Sequence, residues 1–485
     1  MPTISKIYKL GKTQRELDFV NINPGRDLPL FLNPFVFSSR TDAFSIDASR
    51  VVQGFFQHNL DLISNNREAL ARSNFRHLNE PNETCFGLSR RKPSGRGIDT
   101  DGANKIFDSI LTSAALSSGL VEHLENTAIF IDGIGRDKVS DMTTNIIKQK
   151  LIKYTQSQCE LLGIPLRPST PSGFYWDPTG KRWDQKRTDM LVINRKRILF
   201  VPKALVSYVK EFTQSRYHQH FALEFLQDDH LERNTSLVQT TYDKNGSIRR
   251  RFVTKKDLKA NELTSDKNEL LEFTKRHPEV FKDFREKTSK MVMPLEDSDL
   301  ETINVDLLIE HLINTLKKIP PGSDSASEYH DLMIGILEFI FYPNLINPIK
   351  ELEVNEGRKR IDISFDNGAP SGGFFYRLQH SLSIPCRYIY IECKNYSKDI
   401  NNPELDQMVG RLAPNKGKFG IIMCRDLKDK TLFMRRCADS YKSDHGLIVP
   451  LVDEDIIKIL EQKKKSISHY EDKILSDRSR EIMNL

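Results

Sequence analysis

Two opposite charges close the apolar run Tyr388-Ile389-Tyr390-Ile391-Glu392-Cys393-Lys394-Asn395. Its β-branched and aromatic residues predict a strand, in which Tyr388, Tyr390, Glu392 and Lys394 share one face and Ile389, Ile391 and Cys393 the other. A carboxylate and an ammonium at the end of a strand suited to burial are costly unless they pair or bind something. Together they have the composition of a site that holds a divalent cation and cuts a phosphodiester bond. The acid-x-Lys spacing alone carries little, because it recurs at Asp184/Lys186, Asp257/Lys259, Asp426/Lys428, Glu461/Lys463 and Glu471/Lys473. None of these ends a comparable strand. Upstream, Arg358-Lys359-Arg360-Ile361-Asp362-Ile363-Ser364-Phe365 predicts a second strand with Arg360, Asp362 and Ser364 on one face, so Asp362 is placed like Glu392.

The elements that must position these residues follow a turn-rich spacer, Ile319-Pro320-Pro321-Gly322-Ser323-Asp324-Ser325-Ala326-Ser327. A helix is expected from Glu328 to Phe341, then strands at Ile349 to Asn355, Lys359 to Phe365 and Arg387 to Lys394. A helix opened by Asn402 and Pro403 runs to Leu412, followed by a strand at Phe419 to Cys424. A helix at Lys430 to Tyr441, a strand at Leu447 to Leu451 and a helix at Asp453 to Glu461 complete the domain. The core order is α-β-β-β-α-β. Glu338 is one carboxylate in a helix apolar nearly all round, which singles it out.

This order, with Asp362 on the second strand and Glu392-Cys393-Lys394 on the third, resembles the PD-(D/E)xK superfamily, the restriction-endonuclease-like nucleases, over Glu328 to Glu461. Ile361 stands where the motif name has proline, a position that varies in that superfamily. The resemblance implies an α/β fold with a mixed sheet flanked by helices. It further implies that Asp362 and Glu392 bind Mg²⁺, with Mn²⁺ able to substitute, that the Cys393 backbone carbonyl is a third ligand, and that Lys394 positions the attacking water. The same resemblance brings an acid from the first helix to the metal, Glu338 in preference to Glu328, and Gln407 from the helix after the third strand. Arg360, Asn395, Tyr396 and Arg411 are then candidate nucleic-acid contacts. In the insert from Asp366 to Cys386, Phe374, Phe375 and Tyr376 are expected to form a short helix packed over the sheet rather than to stack on bases.

At 485 residues the chain predicts two or three domains, and its net charge of +6 neither demands nor excludes nucleic acid. Residues 1–262 read as a mixed α+β recognition or sensing region, 263–325 as a helical connector and linker, 326–462 as the nuclease domain and 463–485 as a polar tail. In the first region Asp101 opens a helix through Ser118, Ala128 to Ile131 is a strand, Ser140 caps a long helix, and Met190 to Ile193 with Ile198 to Val201 make a hairpin. Cations cluster at Arg90, Arg91, Lys92 and Arg96, around Ser94-Gly95-Arg96-Gly97, and at Arg249, Arg250, Arg251, Lys255, Lys256 and Lys259. Asp132, Asp137 and Asp141 fit turn chemistry, and His218 with His220 lacks the further ligands of a zinc site. Six cysteines without C-x-x-C spacing, no apolar signal core and no spanning stretch fit a soluble, cytoplasmic protein that is not membrane-bound. The expected function is a DNA endonuclease of bacterial restriction or antiphage defence, acting as a homodimer or with a partner subunit. The alternatives are a non-catalytic nucleic-acid-binding or scaffold protein retaining the fold, or an RNase.

Overall fold

The computed structural model of the chain describes every residue except 79, 88–99, 113–122, 208–211, 292–293, 355–358, 371 and 466–468, and gives only the backbone at 100–103, 112, 207, 351–354 and 359–360. Two hydrophobic clusters divide this mixed α/β chain, one built from residues between Ile4 and Leu295, the other from Leu308 to Ile482 with Leu161 reaching in. The boundary between cores therefore falls near residue 300, not at 262. The charged stretch expected as an exposed connector forms helices Lys267–Arg276 and Pro278–Ser289, which bury Leu270, Leu271, Phe273, Phe281 and Phe284. Each helix carries one apolar stripe at helical spacing, and its dense outer charges mask that stripe in the sequence.

The carboxy-terminal core contains α1 (Val305–Lys318), α2 (Ala326–Phe341), β1 (Leu345–Val354), β2 (Lys359–Asn367), α3 (Phe374–His380), β3 (Tyr388–Lys394), α4 (Asn402–Val409), β4 (Phe419–Cys424), α5 (Lys430–Lys442), β5 (Leu447–Val452), α6 (Asp453–Lys464) and α7 (Tyr470–Asn484). The strands form one sheet in the order β1-β2-β3-β4-β5. The first three are antiparallel and the last three parallel, so the sheet is mixed. β3 is interior and nearly all buried, which its isoleucine- and tyrosine-rich sequence suits. Within the insert between β2 and β3, α3 buries Phe374, Phe375 and Leu378, and the Phe374 ring sits 5.6 Å from that of Phe419 on β4.

The tail is not free. α7 buries Leu475, Arg478, Ser479 and Ile482, and the Arg478 guanidinium donates to the Pro450 carbonyl at 2.8 Å and pairs with Asp455. Glu471 and Asp472 are buried on the same helix, and the abundant charges along it gave the segment its polar reading.

In the amino-terminal region a hairpin forms between Arg187–Ile193 and Lys196–Ile198, so its second strand precedes the expected Ile198 to Val201 and shares only Ile198 with it; a third strand, Arg167–Pro171, joins. Ala128 to Ile131 is not a strand: Thr127–Phe130 is a turn of helix, an ambiguity inherent in a short apolar run. Ser140 lies inside helix Arg136–Ile146, where its hydroxyl accepts from Leu32 N at 3.0 Å instead of capping. The helix expected from Asp101 spans Thr100–Thr112, and its continuation to Ser118 lies outside the described residues, as do Arg90, Arg91, Lys92 and Ser94 to Gly97. His218 is buried and bonded to the Leu263 carbonyl and to Gln219. All six cysteines are buried and free, and no helix among the described residues is long and apolar enough to cross a membrane.

Candidate active site

Asp362 on β2 and Glu392 on β3 lie across from one another one step beyond the last paired residues of the ladder, Ile363 and Ile391. Alternation then sets both carboxylates on one face. Asp362 N donates to Glu392 Oε1 at 3.4 Å, and Cys393 N donates to Asp362 Oδ2 at 3.0 Å. Lys394 Nζ lies 2.9 Å from Glu392 Oε2 and 3.7 Å from Asp362 Oδ2. Glu392 is fully buried, whereas the Asp362 side chain keeps 20% exposure. It opens onto a cleft of about 420 Å³ lined by Gly322, Ser323, His330, Asp362, Lys394 and Tyr396.

α4 delivers Gln407, whose Oε1 accepts from Lys394 Nζ at 3.1 Å. This helix is set close by Gly420 on β4, where an added methyl would meet Met408 Sδ at 2.7 Å. It stops at Val409 rather than Leu412, with Gly410 at the C-cap position in a right-handed conformation. Arg411 nevertheless arrives at the same place: its guanidinium is buried against Glu392 Oε1 and is not free to take up a phosphate. Burial pulls that guanidinium below its ordinary value, against the pull of Asp362. Burial also pushes the Cys393 thiol well above its ordinary range, so its sulfur is no nucleophile.

Tyr396 stands 39% exposed on the cleft wall, open to a ligand. Asn395 is buried instead, and its amide donates to Pro320 O at 3.0 Å, Gly322 O at 2.9 Å and Ser325 Oγ at 3.1 Å. It ties the spacer to the end of β3 and cannot face nucleic acid. Asn395→Ala is expected to cost about 1–3 kcal/mol, read as a lower urea midpoint, because three acceptors lose their donor. Arg360 lies on β2, and its side chain is outside those described.

Helix α2 contributes a residue that sequence reasoning missed. His330 Nε2 lies 2.9 Å from the Cys393 carbonyl oxygen, which can only accept, so the imidazole donates. Little in the sequence singles it out: His330 stands among the polar residues Ser327, Glu328 and Asp331 in the first turns of the helix. Glu328 is exposed in the first turn. Glu338 lies eight residues, about 12 Å of helix rise, beyond His330 and does not join Asp362. It is buried against Lys203, whose Nζ is 3.3 Å from Glu338 Oε1 and 2.9 Å from Asp297 Oδ1.

That pairing belongs to a second polar cluster, where the amino-terminal region grips the carboxy-terminal core. Asp18 Oδ1 accepts from Asn347 N at 3.0 Å and its Oδ2 from Tyr154 OH at 2.5 Å, while Asp366 Oδ2 accepts from Phe44 N and Asn347 Nδ2 at 3.3 Å each. Burial pushes the Glu338 carboxyl up to about 8 against the pull of Lys203, and the Asp366 carboxyl up to about 7 with Asp42 adding to it. Both groups hold protons more tightly folded than unfolded, so their contribution to stability is full below about 4.5 and lost as pH rises toward 8. Urea midpoints should fall across that window, and Glu338→Gln should flatten the fall.

The Asp362 and Glu392 carboxylates and the Cys393 carbonyl are hard oxygens of the kind that would suit Mg²⁺. No group of three His, Cys, Asp or Glu side chains gathers to hold a metal among the described residues, so any ion here would take the backbone carbonyl or water as well. Lys394 and Arg411 supply the present counter-charge, and the four side chains are formally neutral together. Ion binding at Glu392 would require Arg411 to move off its carboxylate.

A family model described as a domain of unknown function, DUF8370, matches residues 9–213, the part of the chain that supplies Asp18, Asp42, Tyr154 and Lys203 to the buried cluster and none of the cleft residues. No curated protein and no solved structure matches the chain.

Proposed function

We propose that residues 326–462 form a restriction-endonuclease-like, divalent-metal-dependent nuclease of the PD-(D/E)xK type that hydrolyses DNA phosphodiester bonds, and that the chain serves bacterial restriction or antiphage defence. One observation carries the reading: Asp362, Glu392, Lys394 and Gln407 converge at the end of an interior strand beside an open cleft. Mg²⁺, when bound, lowers the pKa of water and offsets charge on the phosphoryl oxygens. Asp362 and Glu392 would hold it, with the Cys393 carbonyl, once Arg411 leaves the Glu392 carboxylate. Lys394, held by Glu392 and Gln407, presents an ammonium to the attacking water. His330 fixes the carbonyl's direction, and its replacement by alanine should weaken Mn²⁺ binding by about 10-fold in calorimetric titration. The amino-terminal region recognises the substrate or a trigger.

A second reading, a non-catalytic nucleic-acid-binding protein on the same fold, is favoured by the way Lys394 and Arg411 already satisfy buried Glu392. Incubation with linear duplex, single-stranded DNA and RNA, in Mg²⁺ or EDTA, separates the two. Metal-dependent cutting of DNA supports the nuclease, cutting of RNA alone makes it an RNase, and no cutting under Mg²⁺ or Mn²⁺ favours the binding protein.

A further inference from the structure

The most conspicuous basic feature lies far along the chain from the cleft residues. Gln239–Tyr242 and Ile248–Phe252 pair as an antiparallel ribbon that is exposed at nearly every position. Its tip is well built: Asp243 Oδ1 accepts from Asn245 N at 2.8 Å and Ser247 N at 2.9 Å, and Gly246 supplies the positive φ of +80° that closes the turn. The base is anchored where Gln239 bonds Asp257 at 2.8 Å and where Gln227 donates to the Val253 carbonyl.

Two properties of this ribbon are not those of a plain solvated hairpin. Residues 239–252 carry Lys244, Arg249, Arg250 and Arg251 against one carboxylate, Asp243, which the turn already occupies. Arg251 holds Asn234, Arg250 lies over the Phe252 ring at 5.4 Å, and among the described residues neither forms an ion pair with an acid. Beside them Tyr242 and Ile248, directly paired at the tip, are 63% and 62% exposed. Lys256 and Lys259 extend the charge on the following helix, Lys255–Asn261.

We propose that this ribbon docks B-form duplex DNA, with its arginines on the phosphates and the Tyr242–Ile248 tip in the major groove. Two strands about 5 Å apart, with their side chains, match a groove about 12 Å wide. The narrow major groove of A-form RNA does not admit them. The assignment deepens the nuclease reading, on which it rests for the identity of the substrate, by placing the duplex-gripping element outside the catalytic domain.

The test is binding of the full chain to a 30-bp DNA duplex in EDTA across a salt series, beside an RNA duplex of the same sequence and vesicles containing phosphatidylserine. Arg249→Ala/Arg250→Ala should weaken DNA binding about 10-fold and reduce the slope of log affinity against log salt by about 2. Tyr242→Ser/Ile248→Ser should weaken it with the slope unchanged. Both pairs are exposed, and an unchanged melting curve verifies folding. Parent-like binding by both variants overturns the proposal, as does tighter binding of RNA or vesicles than of DNA, or no DNA binding by the parent. Ribbon variants that still cut when the duplex is saturating, but bind weakly, separate this role from the catalytic one. DNA binding through the ribbon without any cleavage would instead remove the nuclease reading and leave the ribbon's role standing.

Discussion

Asp362→Asn is expected to lower Mg²⁺-dependent DNA cleavage on the order of 10³-fold in a protein that folds as the parent does. The substitution keeps an oxygen that can accept from Cys393 N, at 3.0 Å in the parent, so the ladder end between β2 and β3 is preserved. What it removes is the charge of the one carboxylate that opens onto the cleft. Lys394→Ala should cost about 10²–10⁴-fold, because proton transfer and charge relief at the attacking water lose their cation. Glu392 would then retain Arg411 as its counter-ion, which limits the damage to the fold. Gln407→Ala acts through Lys394 and should cost less than either. If the pair were only a structural ion pair, Lys394→Ala would lower the melting temperature and change nothing else.

Lys203→Met is expected to be the most destabilising single change at the contact between the two cores, by about 3–5 kcal/mol in urea unfolding. Its ammonium is fully buried, lies between Asp297 and Glu338, and sits 4.0 Å from the centroid of the Tyr342 ring. Methionine fills a similar volume, so the loss is electrostatic and leaves the Asp297 carboxylate, and Glu338 wherever it is ionised, uncompensated in a dry interior. Burial pushes the Glu338 carboxyl up to about 8, so the loss should grow as pH rises through that value, where the parent's Glu338 ionises beside Lys203 and the variant's must keep its proton. Combining Lys203→Met with Glu338→Gln should therefore cost less than the sum of the two single changes. Strict additivity would mean that the two groups do not interact.

Legibility from sequence followed how local the governing physics is. The strand carrying Glu392 and Lys394 was legible because alternation and β-branching are local, and the β2–β3 register sets Asp362 on the same face. α4 was legible through Pro403 and its neighbouring asparagines, although Asn401 rather than Asn402 is the cap, and Gln407 entered only through the resemblance. Glu338 was misplaced for a non-local reason: α2 is apolar all round because it is covered on both sides, and the buried cation that receives Glu338 comes from residue 203. Asn395 and Arg411 look like surface polar residues until the spacer and Glu392 close over them. The helices at 267–289 and 470–484 show the same lesson, since charge density hid a narrow apolar stripe.

The most direct measurement is relaxation of supercoiled plasmid by the parent and by Asp362→Asn, each in Mg²⁺ and in EDTA. The account predicts nicked or linear product only from the parent in Mg²⁺. Equal cleavage by both proteins, or cleavage that persists in EDTA, would contradict it.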